Sequence, residues 1–252
     1  MRFWRNVAHV IQEADVVIEV VDARMPKMAR NVEAEKLIQR SGKELIIAFN
    51  KSDLVSDSFK RKIANRLKVR HYFVSALKGE GIPRLRTDLQ KMSKKSEFPR
   101  LRVGFIGYPN MGKSAVINAL SRRAKAKVAK KSGTTRGIQW ISTSNLKILD
   151  SPGVIPNDEW DEIKLGLIGA KDMQKLKDVE KVALAIIDKF ISGNLRALED
   201  FYKLDDMRGK ENWEIFEEIG RAKKLLRKKG EIDDKRTSFR IVQDWQYGKL
   251  KL

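Results

Sequence analysis

The stretch Gly107-Tyr108-Pro109-Asn110-Met111-Gly112-Lys113-Ser114 follows an apolar run at residues 101–106 and opens a helical pattern that begins near Ala115. This is the strand, loop and helix order of a P-loop. Its two glycines let backbone N–H groups and the helix N-terminus point at phosphate oxygens. Lys113 can neutralise phosphate charge, and Ser114 can ligate Mg²⁺. The pattern therefore predicts a phosphate-binding loop.

Strand and helix patterns alternate on both sides of this loop. Apolar runs at residues 16–21, 45–49 and 72–74 alternate with helical patterns, and two further strands are expected at residues 138–142 and 146–149. This alternation predicts a mostly parallel α/β sheet that binds ligands at the carboxyl ends of its strands.

Beyond Asn157 the strand signals stop, and the remainder is predicted to be wholly helical. The expected division is an α/β domain at residues 1–157 and a C-terminal all-helical domain at residues 158–252. Within the second domain, one helix is predicted from Asn212 to Gly230 and the last one between Asp233 and Gly248.

The tetrapeptide Asn50-Lys51-Ser52-Asp53 ends the second predicted strand. The carboxylate of Asp53 can accept both the N1–H and N2–H groups of guanine, a donor pair that adenine lacks. Asn50 can either reach the base or tie its loop to the P-loop. Ser75-Ala76 follows the third strand, where the N–H of Ala76 can bind the guanine carbonyl. Beside a P-loop, these residues predict a guanine nucleotide.

Three residues beyond the P-loop can sense the γ-phosphate. Thr135 can add its hydroxyl to Mg²⁺, Asp150 can hold the ion through water, and Gly153 can present its N–H to the phosphate. Together they are expected to form the nucleotide-state sensor.

The predicted site residues fall into three sets. The nucleotide contacts are expected from Asn50, Lys51, Asp53, Ser75, Ala76, Asn110, Met111, Gly112, Lys113, Ser114, Ala115 and Gly153. The candidate catalytic residues are Lys113, Thr135 and Gly153. The candidate Mg²⁺ ligands are Ser114, Thr135 and Asp150. The implied cofactors are GTP or GDP and Mg²⁺.

These motifs resemble the five nucleotide-binding motifs of the Ras-like GTPase superfamily over residues 16–153. Their order differs, because the fourth and fifth motifs precede the first, second and third. This circular permutation resembles the YlqF/RbgA family of ribosome-assembly GTPases. Asp22-Ala23-Arg24 is similar to a signature of that family, and residues 241–250 are similar to the closing motif of its archaeal and nucleolar branch. The tail is also compatible with an amphipathic last helix.

The resemblance implies a circularly permuted, Ras-like P-loop GTPase domain with a C-terminal helical domain. It also implies GTP hydrolysis in a cycle that assists assembly of the large ribosomal subunit. Val154 stands where many GTPases place a water-orienting glutamine, so slow intrinsic turnover, accelerated by a ribosomal partner or by K⁺, is expected. Asn110 matches a potassium-holding position in related GTPases, and a loop-stabilising role is equally compatible.

The charge balance favours a polyanionic partner. The chain carries 53 Lys and Arg against 33 Asp and Glu, a net charge of +20. Residues 1–155 hold 32 of the basic and 13 of the acidic residues. Two basic runs, Arg122 to Arg136 and Arg221 to Lys229, are compatible with solvated helix faces or with contacts to an RNA backbone. Ribosomal RNA or the large subunit is the expected partner.

Other features exclude several classes of protein. The chain has no cysteine, so it has neither disulfides nor thiolate metal sites. No signal peptide and no apolar run near 18 residues long is apparent, which predicts a cytoplasmic protein without membrane spans. The protein is expected to be monomeric when it is off the ribosome. Two alternative functions stay open: a GTP-locked RNA-binding module with negligible hydrolysis, and a GTPase that acts on another RNA such as tRNA.

Overall fold

The computed structural model describes residues 2–96, 98–121, 139–143, 145–153, 155–156 and 161–252. Residue contacts divide the chain into two compact units, Met1–Glu159 and Trp160–Leu252. Each unit is described by itself. Among the described helices, none is long and apolar enough to cross a membrane.

The described part of the first unit contains a six-stranded sheet in the order β3-β2-β1-β4-β6-β5. The strands are β1 Val16–Asp22, β2 Glu44–Asn50, β3 Arg70–Phe73, β4 Leu101–Ile106, β5 Gln139–Ser142 and β6 Leu146–Asp150. Only β5 runs antiparallel to its neighbour in this sheet. The predicted mostly parallel sheet is therefore confirmed, with the strand of the P-loop between β1 and β6.

One helix precedes the first strand of this unit and four others lie between its later strands in the described residues. They are α1 Arg2–Glu13, α2 Val32–Arg40, α3 Asp57–Ala64, α4 Ile82–Ser93 and α5 Lys113–Ser121, with a 3₁₀ turn at Ser52–Leu54. The side chains of Asn31 and Ser56 cap α2 and α3, each accepting a hydrogen bond from a backbone N–H in the first turn.

The core of this unit forms where helices cover the apolar strands. All seven residues of β1 are buried, as expected for a central strand covered on both faces. A cluster of buried side chains joins α1, α2 and the sheet, and it includes Val10, Ala14, Val17, Ile38 and Leu149. This packing fixes the central strands whose carboxyl ends carry the candidate site.

The second unit is helical in most of its length. Its helices are α6 Glu162–Leu167, α7 Val179–Ser192, α8 Leu195–Tyr202, α9 Asn212–Ala222 and α10 Asp234–Gln246, with a 3₁₀ turn at Met173–Lys175. Fully buried Trp245 on α10 meets Phe190 of α7 edge to face at 6.1 Å. Its indole N–H also donates to the carbonyl oxygen of Leu167 at 2.7 Å, which satisfies an orphan group at the end of α6.

The helix predicted from Asn212 to Gly230 is shorter than expected, and the remainder is not wholly helical. Helix α9 ends at Ala222, where the N–H groups of Lys224 and Leu225 bond the carbonyls of Arg221 and Gly220. This is a Schellman cap with a left-handed residue, Lys224, at φ 54°. Glycine normally marks that position, so the sequence carried no stop signal there. An isolated antiparallel bridge between Leu226 and Ile232 follows.

Gly104 on β4 provides a test of how α1 packs on the sheet. A Cβ at this position would lie 2.4 Å from Val10 Cγ1 and 3.1 Å from Ala14 Cβ. Gly104→Ala is expected to lower the free energy of unfolding by about 2 kcal/mol through overpacking, measured by urea denaturation.

Val10→Ala is the partner variant of a double-mutant cycle. It creates a void by itself, but in the double variant the new methyl group of residue 104 fills part of that void. The double variant should therefore be more stable than the sum of the two single effects predicts. Additive effects would contradict the inferred contact.

Candidate functional site

The loops that follow β1, β2, β3, β4 and β6 lie along one edge of the sheet, since these strands are parallel. The predicted site residues in the described part of the chain stand at or just after these strand ends. The fold thus brings together segments that are far apart in the sequence, as expected for an α/β sheet.

Asn50, the last residue of β2, joins three of these loops. Its side-chain Nδ2 donates to the carbonyl oxygen of Met111 in the P-loop at 2.9 Å. Its Oδ1 accepts a hydrogen bond from the backbone N–H of Ala76 at 3.1 Å. The sequence left two roles open for Asn50, contact with the base or a bond to the P-loop, and in this structure Asn50 bonds the P-loop. The residue is 3% exposed, so water does not compete for these bonds.

Glycine is required at two P-loop positions by the close approach of neighbouring groups. Gly112 has φ 87°, and a Cβ there would lie 2.3 Å from Asn50 Nδ2. Gly107 has φ 140°, and a Cβ there would lie 2.5 Å from the carbonyl oxygen of Val20. Exposed Asn110 is also left-handed, with φ 61°, a conformation that asparagine tolerates better than most residues.

Lys113, the first residue of α5, is held inside the P-loop. Its Nζ donates to the carbonyl oxygens of Gly107 at 2.9 Å and Tyr108 at 3.0 Å. Burial lowers the pKa of Lys113 to about 8, and attraction to Asp150 offsets only part of that effect. A Cβ at Gly153 would lie 2.6 Å from this Nζ, so the loop after β6 closes against the ammonium group.

Ser114 and Asp150 bring two oxygen ligands together beside Lys113. Ser114 Oγ donates to Asp150 Oδ2 at 3.4 Å. A hydroxyl and a carboxylate are hard oxygen ligands of the kind that Mg²⁺ prefers, and Mg²⁺ keeps most of its coordination for water and substrate. The pair therefore fits the ion that the sequence predicts. The described residues contain no cluster of three or more histidine, cysteine or acidic residues for another metal.

The other predicted nucleotide contacts surround these groups. Asp53 lies in the 3₁₀ turn after β2, with Lys78 Nζ 3.9 Å from its Oδ2. Ser75 is fully buried, and its Oγ accepts from the N–H of Lys78 at 3.2 Å. Met111 is buried in the P-loop, and Ala115 is exposed on the first turn of α5. The N–H of Ala76 is bonded to Asn50, so it is not directed at a base in this structure.

The structure adds an ion cluster whose role the sequence did not indicate. Asp22 is fully buried at the end of β1, and its carboxylate accepts from Arg24 Nε at 3.1 Å and Nη2 at 2.9 Å. Lys51 Nζ lies 2.9 Å from the same carboxylate. Burial alone would raise the pKa of Asp22, but attraction to Arg24 and Lys51 outweighs it and holds the pKa well below its ordinary value.

This cluster fixes the backbone of the loop that carries Asp53. Lys51 is left-handed at φ 59°, an uncommon conformation for lysine. Its side chain is anchored on β1, next to β2 in the sheet. The cluster follows from the strand register, which sets Asp22 opposite Asn50, the residue before Lys51, and the sequence carries no local signal for that register.

Some sequence predictions lie outside the described residues. They are Thr135, Val154 and the basic run from Arg122 to Arg136. Three roles therefore stay predictions: Thr135 as a Mg²⁺ ligand, Val154 in place of the water-orienting glutamine, and the basic run as an RNA contact.

Two family models match the chain. The RsgA GTPase model matches residues 3–159, and the model described as a 50S ribosome-binding GTPase matches residues 102–218. The first covers the strands and loops of the candidate site, and the second extends from the P-loop strand into the helical unit.

Individual proteins match over nearly the whole chain. A GTP-binding protein of Methanocaldococcus jannaschii is 36% identical over 245 residues, which cover 97% of this chain and 65% of that protein. Ribosome biogenesis GTPase A of Bacillus cereus is 30% identical over 264 residues, covering 98% of this chain and 87% of that protein. The chain spans less than half the length of the plant nuclear/nucleolar GTPases it also matches.

A solved structure shows the same fold. The GNP-bound structure of YlqF from Thermotoga maritima superimposes with a TM-score of 0.60 at 24% identity, covering 100% of this chain and 96% of that chain. This likeness confirms the predicted fold class.

Asp22→Asn tests the buried ion cluster. The substitution leaves Arg24 and Lys51 without a carboxylate, and Arg24 is only 3% exposed. We expect a loss of about 3 kcal/mol in the free energy of unfolding, measured by urea denaturation at neutral pH, since breaking a buried pair leaves an uncompensated charge.

Asp206→Asn is the matched control. Asp206 binds Arg208 two residues later through the same pattern of backbone and guanidinium bonds, but both side chains are largely exposed. Solvent screens this pair, so its loss should leave the stability nearly unchanged. Equal effects of the two substitutions would show that burial of Asp22 does not matter.

Proposed function

Because the chain belongs to the family of circularly permuted GTPases that includes ribosome biogenesis GTPase A, we propose that it binds guanine nucleotides and hydrolyses GTP to GDP and phosphate during assembly of the large ribosomal subunit. The observation that carries the proposal is the convergence at Asn50. Its two hydrogen bonds join the P-loop to both loops that are expected to hold a guanine base.

Base recognition is assigned to the loops that follow β2 and β3. The carboxylate of Asp53 accepts the two guanine donors, and the ion cluster of Asp22 and Lys51 holds its loop in place. The N–H of Ala76 is assigned to the guanine carbonyl. Since that N–H is bonded to Asn50 in this structure, its assignment requires the bond to be exchanged when nucleotide binds.

Phosphate binding is assigned to the P-loop and Lys113. The ammonium group of Lys113 donates to the backbone carbonyls of Gly107 and Tyr108. We assign phosphate oxygens as the partners of this ammonium when nucleotide is bound. Its positive charge then lies where negative charge develops on the transferred phosphoryl group. Gly153, where a Cβ would lie 2.6 Å from the same ammonium, is proposed to add its backbone N–H to the γ-phosphate.

Ser114, Asp150 and Thr135 are the proposed residues for Mg²⁺, with Asp150 acting through water. When bound, the ion neutralises charge on the phosphate oxygens. We assign a slow intrinsic hydrolysis rate because Val154 can neither donate nor accept a hydrogen bond to the attacking water. K⁺ held at Asn110 and contact with the ribosome are the proposed accelerators.

RNA binding is assigned to the helical part of the chain, residues 158–252. In the cluster from Arg221 to Lys229, Arg221 binds Glu217 and Glu218, and Lys223 lies over the rings of Phe201 and Tyr202. Exposed Lys224, Lys228 and Lys229 form no ion pair with the described residues, so they are available to phosphates. The proposal places the protein in the cytoplasm as a monomer when it is off the ribosome.

Asp53→Asn tests both nucleotide specificity and ribosomal stimulation. The NH₂ group of an asparagine at this position would face the N2–H donors of guanine, which it cannot accept, but it can donate to the 2-oxo group of xanthine. We expect the variant to bind GTP more weakly by roughly two to four orders of magnitude and to prefer xanthosine triphosphate.

The measurement is nucleotide turnover in potassium buffer, with and without large ribosomal subunits from M. jannaschii. Subunits should stimulate GTP turnover by the wild-type protein and xanthosine triphosphate turnover by the variant. Turnover of xanthosine triphosphate by subunits alone and by subunits with the wild-type protein measures the contaminating activity. Tight GTP binding without stimulated turnover would favour the GTP-locked module that Val154 permits, and stimulation by tRNA alone would favour another RNA.

The lowered pKa of Lys113 predicts a pH-dependent affinity for GDP. Phosphate binds the ammonium form and keeps it protonated, whereas the free protein loses that proton around its pKa of about 8. The affinity should therefore be constant near neutral pH and fall by about tenfold per unit above about pH 8.

Equilibrium titration with a fluorescent GDP analogue between about pH 7 and about pH 9 measures this dependence. Lys113→Arg is the control, because its guanidinium stays charged over this range and its profile should be flat at a lower affinity. Parallel profiles for the two proteins would show that Lys113 does not carry the titration.

A further inference from the structure

The outer edge of the sheet carries a concentration of positive charge outside both basic runs described above. Residues 57–95, which form α3, β3, α4 and their connections, contain twelve Lys and Arg and three Asp and Glu. Their net charge of +9 is close to half of the +20 carried by the whole chain. Among these basic residues Lys78 lies at the nucleotide site, with its ammonium 3.9 Å from Asp53, whereas those that line the edge of β3 make no hydrogen bond or ion pair with the described residues of that site.

A cleft runs along this edge of β3. It has a volume of about 800 Å³ and lies between the end of α3, with Ala64 and Lys68, and the start of α4, with Gly81 and Arg84. Arg70 of β3 also lines it, together with Glu44, to which it is paired at 3.3 Å. Exposed Lys68 and Arg84 form no ion pair within 4 Å with the described residues.

The same holds for basic residues on both sides of the cleft. Several exposed side chains on α3, in the loop after it and beyond α4 have no salt-bridge partner in the described part of the chain; they are Arg61, Lys62, Arg66, Lys94 and Lys95. Basic residues on an edge strand have a simpler explanation, since they can prevent the sheet from pairing with a strand of another chain. Here the unpaired charge extends onto both flanking helices, which that purpose does not require.

The aromatic side chains of β3 are committed to internal packing. Phe73 stacks on Phe49 with 5.2 Å between ring centroids, and His71 meets both rings edge-on. Buried Tyr72 donates its hydroxyl to Asp88 at 2.8 Å. His71, Tyr72 and Phe73 also line the cleft, but their rings are held in these internal contacts. The unpaired cations therefore suit the backbone of a structured RNA better than unstacked bases.

We propose that this basic edge, lined by Lys68, Arg70 and Arg84, binds the phosphate backbone of duplex RNA. The inference rests on the proposed ribosomal function and adds a contact surface on the nucleotide-binding unit. The loop of Ser75 and Ala76 follows directly after β3. The proposed RNA surface therefore lies along the edge of the strand whose carboxyl end leads to the loop proposed for the guanine base.

The test is the salt dependence of binding by Lys68→Gln/Arg84→Gln. Each lost phosphate contact lowers the slope of log affinity against log salt by about 0.9, so the double variant should lose about 1.8 units of slope. Its affinity for an RNA hairpin and for purified large-subunit rRNA should fall at least about tenfold at about 0.1 M salt.

Lys36→Gln/Arg40→Gln is the matched control. These residues are exposed on α2, carry the same charge and do not line the cleft. The control should keep the wild-type slope and affinity, and both variants should bind GDP as the wild-type protein does.

Three other outcomes would overturn the proposal. An unchanged slope for Lys68→Gln/Arg84→Gln, with normal RNA binding by the wild-type protein, would remove the edge surface and leave the proposed function standing. Loss of binding to the complete subunit with normal binding to naked RNA would assign the surface to an acidic protein. Failure of the wild-type protein to bind RNA or subunits would remove both proposals.

Discussion

The amide group of Asn50 is the interaction on which the geometry of the candidate site depends. It links the P-loop, 61 residues further along the chain, to the loop of Ala76, 26 residues away. The parallel sheet brings these loops to one edge, but a sheet alone leaves their spacing open. Two hydrogen bonds to backbone groups, sheltered from water, set that spacing. The backbone must approach closely for them to form, so residue 112 has no room for a side chain.

The sequence was sufficient to predict what depends on local pattern. The P-loop, the alternation of strands and helices, and the clustering of strand ends follow from spacing and periodicity. The ion cluster of Asp22, Arg24 and Lys51 depends instead on the register between β1 and β2, which no local pattern reveals. The end of α9 was missed for a related reason. Its cap uses Lys224 in a left-handed conformation, held by backbone bonds that any residue can make.

Circular permutation is compatible with this site because the site depends on spatial neighbours rather than on chain order. Strand β4, which leads into the P-loop, pairs with β1 on one side and with β6 on the other. The loops proposed to bind the base come from the strands before it, and the loop of Asp150 and Gly153 comes from a strand after it. A change in the order of connection leaves each strand end in place. The bond between Asn50 and Met111 then joins the two halves of the permuted order.

Positive charge acts in two physical regimes in this protein. Lys113 is buried, and burial lowers its pKa because loss of water disfavours the charged form. Its own loop supplies two carbonyl oxygens that offset this cost. A phosphate bound at this buried group, as proposed, would meet little competition from salt. The cations on the edge of β3 are exposed, and the RNA binding proposed there would gain from the release of counterions, which salt opposes. The proposed binding of nucleotide at Lys113 and of RNA at this edge would therefore respond differently to ionic strength, and rising salt would detach the RNA before the nucleotide.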